Sequence, residues 1–202
     1  PLDNYRFEMK HYGVTALADF NEFKDSIRMQ PNPGRPFRIV GLVADAQHRI
    51  ARSGNKFGIF VIEDYSGKTE IALFSEDYMR LTPILQPGST VLIHGHFKPR
   101  YNKEEFEFKL TAVSLAETMK KTMTKQVTIE AHPGMISSEI VNFLEKNMRD
   151  NPGKSNLRIS LTEPRNKMKI SLVTMSGGFE MNEEMIQFLE NKPELEVQVL
   201  TS

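Results

Sequence analysis

Phe57-Gly58-Ile59-Phe60-Val61-Ile62-Glu63-Asp64-Tyr65-Ser66-Gly67-Lys68-Thr69-Glu70-Ile71-Ala72-Leu73-Phe74 reads as a strand, a tight turn and a returning strand. Phe57 to Asp64 is rich in β-branched and aromatic residues, Ser66-Gly67 supplies the turn, and Thr69 to Phe74 is the second strand. Side chains alternate along such a strand, so Gly58, Phe60 and Ile62 face one way and Phe57, Ile59 and Val61 the other. If the first set fills a barrel, the second forms a partly apolar outer face.

Upstream, Phe37 to Ala44 is another β-rich run, with Gly41 where a strand could bend, and Arg52 to Lys56 makes a turn. Downstream, Glu76 to Leu85 suits a short helix with Glu76 and Asp77 in its first turn, ended by Pro87-Gly88. Val91 to Phe97 is a fourth strand, Pro99 to Glu104 a polar loop, and Glu105 to Leu115 a fifth strand. Three strands, a helix and two more strands predict a five-stranded OB-fold barrel. An SH3-like barrel would give a similar count.

The flanks differ in texture. Leu2 to Met29 suits short helices joined at Gly13, with Leu17, Phe20, Phe23 and Ile27 as one apolar series. Pro31-Asn32-Pro33-Gly34-Arg35-Pro36 cannot sustain a helix, because its prolines lack the N–H donor and restrict their neighbours. After a linker from Met119 to Lys125 come a strand (126–131), a helix (136–148) and two strands (157–161, 168–173). A helix capped by Asn182 and a last strand (195–200) complete the order β-α-β-β-α-β, which suggests a split βαβ unit. Ile140, Val141, Phe143 and Leu144 are expected inward, and the Met175–Phe179 turn is expected to present Phe179. The chain thus divides into a helical lead-in (1–34), an OB-fold domain (35–117) and a small α+β domain (118–202).

The 202 residues carry 26 basic and 26 acidic side chains and no cysteine. A zero net charge argues against a polybasic chain but leaves room for a local basic groove. Lack of cysteine excludes disulfides, thiol catalysis and Cys-built metal sites, and is compatible with a cytoplasmic location. No apolar run is long enough to span a membrane. The opening Pro1, with no signal-like segment after it, reads as the start of an excised piece. By segment the basic and acidic counts are 4 and 5 for 1–34, 11 and 10 for 35–117, and 11 and 11 for 118–202.

No nucleophile–base pair, Walker A motif or GxGxxG fingerprint is present. His94-Gly95-His96 places two imidazoles on one strand face, but a metal needs a third ligand that no spacing supplies, so neither catalytic nor metal residues are expected. Asp64 reads as a turn-capping residue. A nucleic-acid reading has more support, because it needs cations for phosphates and aromatic faces for bases. Arg49, Arg52 and Lys56 flank the first hairpin, and Lys98, Arg100 and Lys103 surround the fourth-to-fifth loop, with Tyr101 at its centre. Phe57, Ile59 and Phe97 are candidate base-contacting apolar residues, with core packing the competing reading for Phe57 and Phe97. The near-neutral segment predicts weak, nonspecific affinity.

The Phe57–Phe74 stretch resembles the OB domain of bacterial replicative DNA polymerase III alpha subunits, whose pattern is a Phe- and Val-rich strand, Leu-Glu-Asp, a Gly and a strand ending in Phe. Related modules occur in class II aminoacyl-tRNA synthetases. Pro1-Leu2-Asp3-Asn4-Tyr5 is similar to the end of the family's Ser-Gly-His-Pro-Leu segment, and the unit after residue 125 is similar to its extreme C-terminal domain. The resemblance implies an OB domain engaging single-stranded template DNA and a C-terminal domain contacting the clamp-loader tau subunit and other replisome proteins. It also implies a parent nucleotidyltransferase using Mg2+, with its catalytic aspartates upstream and no cofactor in this part. The near-neutral charge and short fourth-to-fifth loop depart from the pattern. The expected function is that of a non-catalytic polymerase fragment; the alternatives are a tRNA-binding module and a purely protein-docking module.

Overall fold

The computed structural model describes residues 1–101, 104–174 and 177–202, which form two compact units, Pro1–Thr118 and Met119–Ser202. In the first, α1 (Arg6–His11) and α2 (Leu17–Asp25) precede β1 (Phe37–Ile50), β2 (Lys56–Glu63) and β3 (Lys68–Phe74). Then α3 (Ser75–Leu81) leads to β4 (Thr90–Pro99) and β5 (Phe106–Leu115). The helix after β3 is shorter than the sequence predicts, and β1 runs past Ala44 to Ile50.

That length lets β1 serve two partners. Phe37 to Leu42 pair with β4 and Leu42 to Ile50 with β2, with a register shift between Val43 and Asp45. Gly41 sits at the crossover, where a Cβ would lie 2.4 Å from Ile62 Cγ2 and 3.0 Å from the Glu63 carbonyl oxygen. Only glycine leaves room there for β2 to come so close. The resulting order is β3-β2-β1-β4-β5, the partly open OB barrel expected from the strand and helix count. Gly58, Phe60 and Ile62 of β2 and Ile71 and Leu73 of β3 point inward. The outer residues of β2 stay half-buried, as the two-residue period predicts.

The lead-in is part of this core. Leu17, Phe20 and Phe23 of α2 pack with Phe37, Ile39, Phe97 and Leu110. The turn after β2 holds α2 in place. Ala16, the residue before that helix, offers no capping side chain, and Asp64 Oδ2 accepts from the Leu17 N–H at 2.8 Å instead. Asp64 Oδ1 accepts from the N–H groups of Ser66 (2.7 Å) and Gly67 (3.1 Å), and Ser66 Oγ accepts from the Ala18 N–H at 2.9 Å. One carboxylate therefore closes its own turn and caps a helix 47 residues away. Asp64→Ala strands these donors and is expected to cost about 1–3 kcal/mol of stability, read by urea unfolding.

Asp77, at the start of α3, is bonded by Lys109 of β5 and paired with Arg80 at 3.1 Å. These donors, Lys109 foremost, hold its carboxyl below the usual 3.8. A depressed folded-state pKa stabilises the fold above the unfolded value, and the benefit disappears as pH falls through the folded one. Asp77→Asn is therefore expected to flatten the loss of stability below about pH 4, measured by unfolding across an acid pH series.

The second unit opens with α4 (Met119–Met123), so the stretch expected to be a linker is a helical turn burying both methionines. It continues with β6 (Thr124–Ala131), α5 (Ser138–Asp150), β7 (Pro152–Gly153), β8 (Asn156–Glu163), β9 (Met168–Val173) and β10 (Gly178–Phe179). The last elements are α6 (Glu183–Glu190) and β11 (Glu196–Thr201). The element order follows expectation, but the sheet order is β11-β6-β8-β9, with β6 and β8 parallel neighbours. The first crossover, β6-α5-β8, joins adjacent strands, whereas the second, β9-α6-β11, joins parallel strands separated by β8 and β6, so only the second is split. Phe179 is fully buried in the β7–β10 ribbon rather than presented, and Val141 faces outward at 46 % exposure. The expected Met175–Phe179 turn falls partly outside the described residues. Asn182 caps α6 by accepting from the Met185 N–H at 2.9 Å, and it exchanges amide bonds of 2.9 and 3.0 Å with buried Asn147.

Candidate nucleic-acid interface

Of the candidate residues, Arg49, Phe57 and Ile59 share the outer face of β1, β2 and β3. Across β1, β2 and β3 the outward rows are Gln47–Ile59–Ala72 and Arg49–Phe57–Phe74. Phe57 and Phe74 are cross-strand partners whose rings stack, with centroids 5.4 Å apart and planes 18° from parallel. Phe74 is 53 % exposed, so one face of this aromatic step is open. Ile59 lies half-buried beside it.

Phe74 also lines an open groove with Lys98, Pro99, Arg100, Tyr101 and Glu107. The end of β3 thus reaches the fourth-to-fifth loop. Tyr101 is fully exposed there. β3 and β5 are not paired, and Phe74, Arg100, Phe106 and Phe108 line the seam between them. Sequence reasoning missed Phe74. The signal was available, because Glu70, Ala72 and Phe74 share one parity of β3 while Ile71 and Leu73 take the other.

Phe97 does not belong to this surface. It is 3 % exposed, stacked at 5.3 Å on Phe20 and 5.9 Å on Phe23, with Phe37 and Phe108 against it. It shares the inward parity of Val91 and Ile93, so its aromatic face is spent in the core and cannot meet a base. Lys103 lies outside the described residues.

The cations divide into two kinds. Arg49, one residue before the end of β1, lies opposite Phe57 and donates to Gln47 Oε1 at 2.6 Å. Arg52, in the turn, and Lys56, at the start of β2, are exposed, with no carboxylate within ion-pair distance among the described residues. Lys98 and Arg100 are partly neutralised. Glu107 lies 3.2 Å from Lys98 Nζ and 3.5 Å from Arg100 Nε, and Glu105 lies 3.5 Å from Arg100 Nη1.

His94 and His96 line a separate hollow with Arg38 and Thr111. Burial first, and then the Arg38 charge, lowers the His94 pKa. A guanidinium beside these imidazoles opposes a bound cation, and no group of three potential ligands occurs among the described residues. No helix among the described residues is long and apolar enough to cross a membrane.

Residues 37–116 match an OB-fold nucleic acid binding domain, and residues 127–200 match the C-terminal domain of the DNA polymerase III alpha subunit. The chain resembles the C-terminal part of bacterial DNA polymerase III alpha subunits. The alpha subunit of Pasteurella multocida is 28 % identical over 96 residues, or 47 % of this chain and 8 % of that protein. That of Borreliella burgdorferi is 23 % identical over 177 residues, or 85 % of this chain and 15 % of that protein. The chain thus spans a small fraction of these relatives' length. Among solved structures, the second single-stranded DNA binding protein of Mycobacterium smegmatis is similar with a TM-score of 0.31 and 20 % identity, covering 40 % of this chain and 84 % of that one. The two matched regions fall in separate compact units, 1–118 and 119–202.

Proposed function

We propose that the first unit binds single-stranded DNA along the outer face of β2 and β3 and into the fourth-to-fifth loop, as a non-catalytic part of a replicative polymerase in the cytoplasm. The second unit docks replisome proteins, the clamp-loader tau subunit first among them. The observation that carries the DNA reading is the half-open Phe57–Phe74 step beside Arg100 and Tyr101 on an OB barrel. Bases stack on Phe74 and Tyr101, and Arg49, Arg52 and Lys56 meet phosphates from the β1–β2 side. No cofactor takes part in this binding. Any Mg2+ belongs to the polymerase centre of a larger parent.

The ion pairs at the β4–β5 end set the affinity. A phosphate must compete with Glu107 for Lys98 and Arg100, which keeps binding weak and dependent on salt. Glu107→Gln is expected to tighten oligo-dT binding roughly two- to fivefold at low salt and to steepen the salt dependence, measured by fluorescence anisotropy.

The whole reading is tested by anisotropy with labelled oligo-dT, single-stranded RNA and duplex DNA across a salt series. Preference for oligo-dT with a steep salt slope supports it. Preference for RNA indicates a tRNA-binding type of module, and no binding to any probe at low salt removes the nucleic-acid role. Co-sedimentation of the chain with purified tau tests the second unit separately.

A further inference from the structure

β9 is an edge strand whose six residues are all exposed. Met168, Ile170 and Leu172 alternate on one face at 55, 50 and 55 % exposure. Ile170 and Leu172 continue the apolar row of β8, opposite half-buried Leu161 and Ile159, and Met168 lies opposite Glu163, whose carboxylate is engaged by His132 at 3.1 Å. The core of the second unit therefore runs out to an uncovered edge. Edge strands usually protect themselves with charge or by being short and covered, because their unpaired backbone groups template another strand.

The charge here is of one sign. Arg165, Lys167 and Lys169 are the charged residues of 164–173, with no acidic residue among them. Among the described residues no carboxylate lies within ion-pair distance of any of the three, nor of Arg158 on the neighbouring strand. Lys169 and Ser171 occupy the face opposite the apolar row, as do Arg158 and Ser160 on β8.

We infer that β9 takes an added strand from a partner protein, an extended segment that alternates apolar and acidic residues. This rests on the reading that the second unit docks protein, and it names the surface and the partner's chemistry. Cross-strand neighbours share a face, so the partner's apolar residues cover Met168, Ile170 and Leu172. Its carboxylates, on the other face, meet Lys169 and Arg158. A second copy of this chain is the poorer occupant, because it would bring another set of unpaired cations to the same edge.

The test uses the whole chain with a fluorescein-labelled peptide of about ten residues alternating Glu and Val, its Lys/Val counterpart, and oligo-dT. The Glu/Val peptide is expected to bind. Ile170→Glu, at an exposed position and with its fold checked by circular dichroism, should weaken it by roughly tenfold or more. Lys169→Glu should reverse the preference toward the Lys/Val peptide. Equal binding of both peptides, or binding of neither, overturns the proposal. So does concentration-dependent dimerisation that Ile170→Glu abolishes. A chain that co-sediments with tau but ignores the peptides keeps the docking role and loses this surface, whereas failure with both removes the two together.

Discussion

Phe97→Ala is expected to lower the unfolding free energy of the first unit by about 3–5 kcal/mol. The ring sits at the centre of an aromatic cluster drawn from α2, β1, β4 and β5, touching Phe20, Phe23, Phe37 and Phe108. Arg35 covers the outside of that cluster, 4.7 Å from the Phe23 ring centre and 4.6 Å from that of Phe37. Removing Phe97 leaves a cavity that these flat, interlocked rings cannot close by small shifts. The check is urea unfolding of the variant, with oligo-dT affinity measured below its transition. A large stability loss with unchanged affinity is the expected pattern. A large affinity loss without a stability loss would place Phe97 at the DNA after all.

Phe74→Ala carries the other large effect, and it falls on binding. Loss of a stacking platform costs about 1–3 kcal/mol per base, so oligo-dT affinity should fall roughly 5- to 150-fold. Phe74 is half-exposed and packs on Phe57 alone among the described rings, so stability should change much less than in Phe97→Ala. Tyr101→Ala should weaken binding by a similar amount and leave stability alone, because its side chain is fully exposed. The two variants separate loop from sheet: if only Tyr101 matters, bases meet the loop and not the strand face. Anisotropy titrations and thermal melts on the same protein samples give both readouts.

The barrel was legible because a period of two is hard to mistake across Phe57–Phe74, and Gly41 falls where β2 closely approaches β1, although the irregularity of β1 lies between Val43 and Asp45. The same period contained the two errors at the site. Val91, Ile93 and Phe97 share one parity of β4 and all point inward, while Phe74 shares parity with Ala72 and points outward. An aromatic residue beside a basic loop looked like a ligand contact, but strand parity decided its direction. The role of Asp64 as a turn cap was readable locally. Its cap on α2 was not, because nothing in the sequence says which helix approaches that turn. The second unit shows a different limit. The element order β-α-β-β-α-β fits more than one sheet, and only strand pairing shows which of its two crossovers is split. Phe179 sits beside two glycines in an apparent loop, yet a short ribbon with Pro152–Gly153 buries it.

Amide chemical-shift changes on adding oligo-dT test most directly whether DNA lies on the β2–β3 face. Changes are expected at residues 47–61, 70–74 and 98–101, fading as salt is raised. Changes centred instead on Arg38, His94 and His96, the opposite flank of the barrel, would contradict that placement.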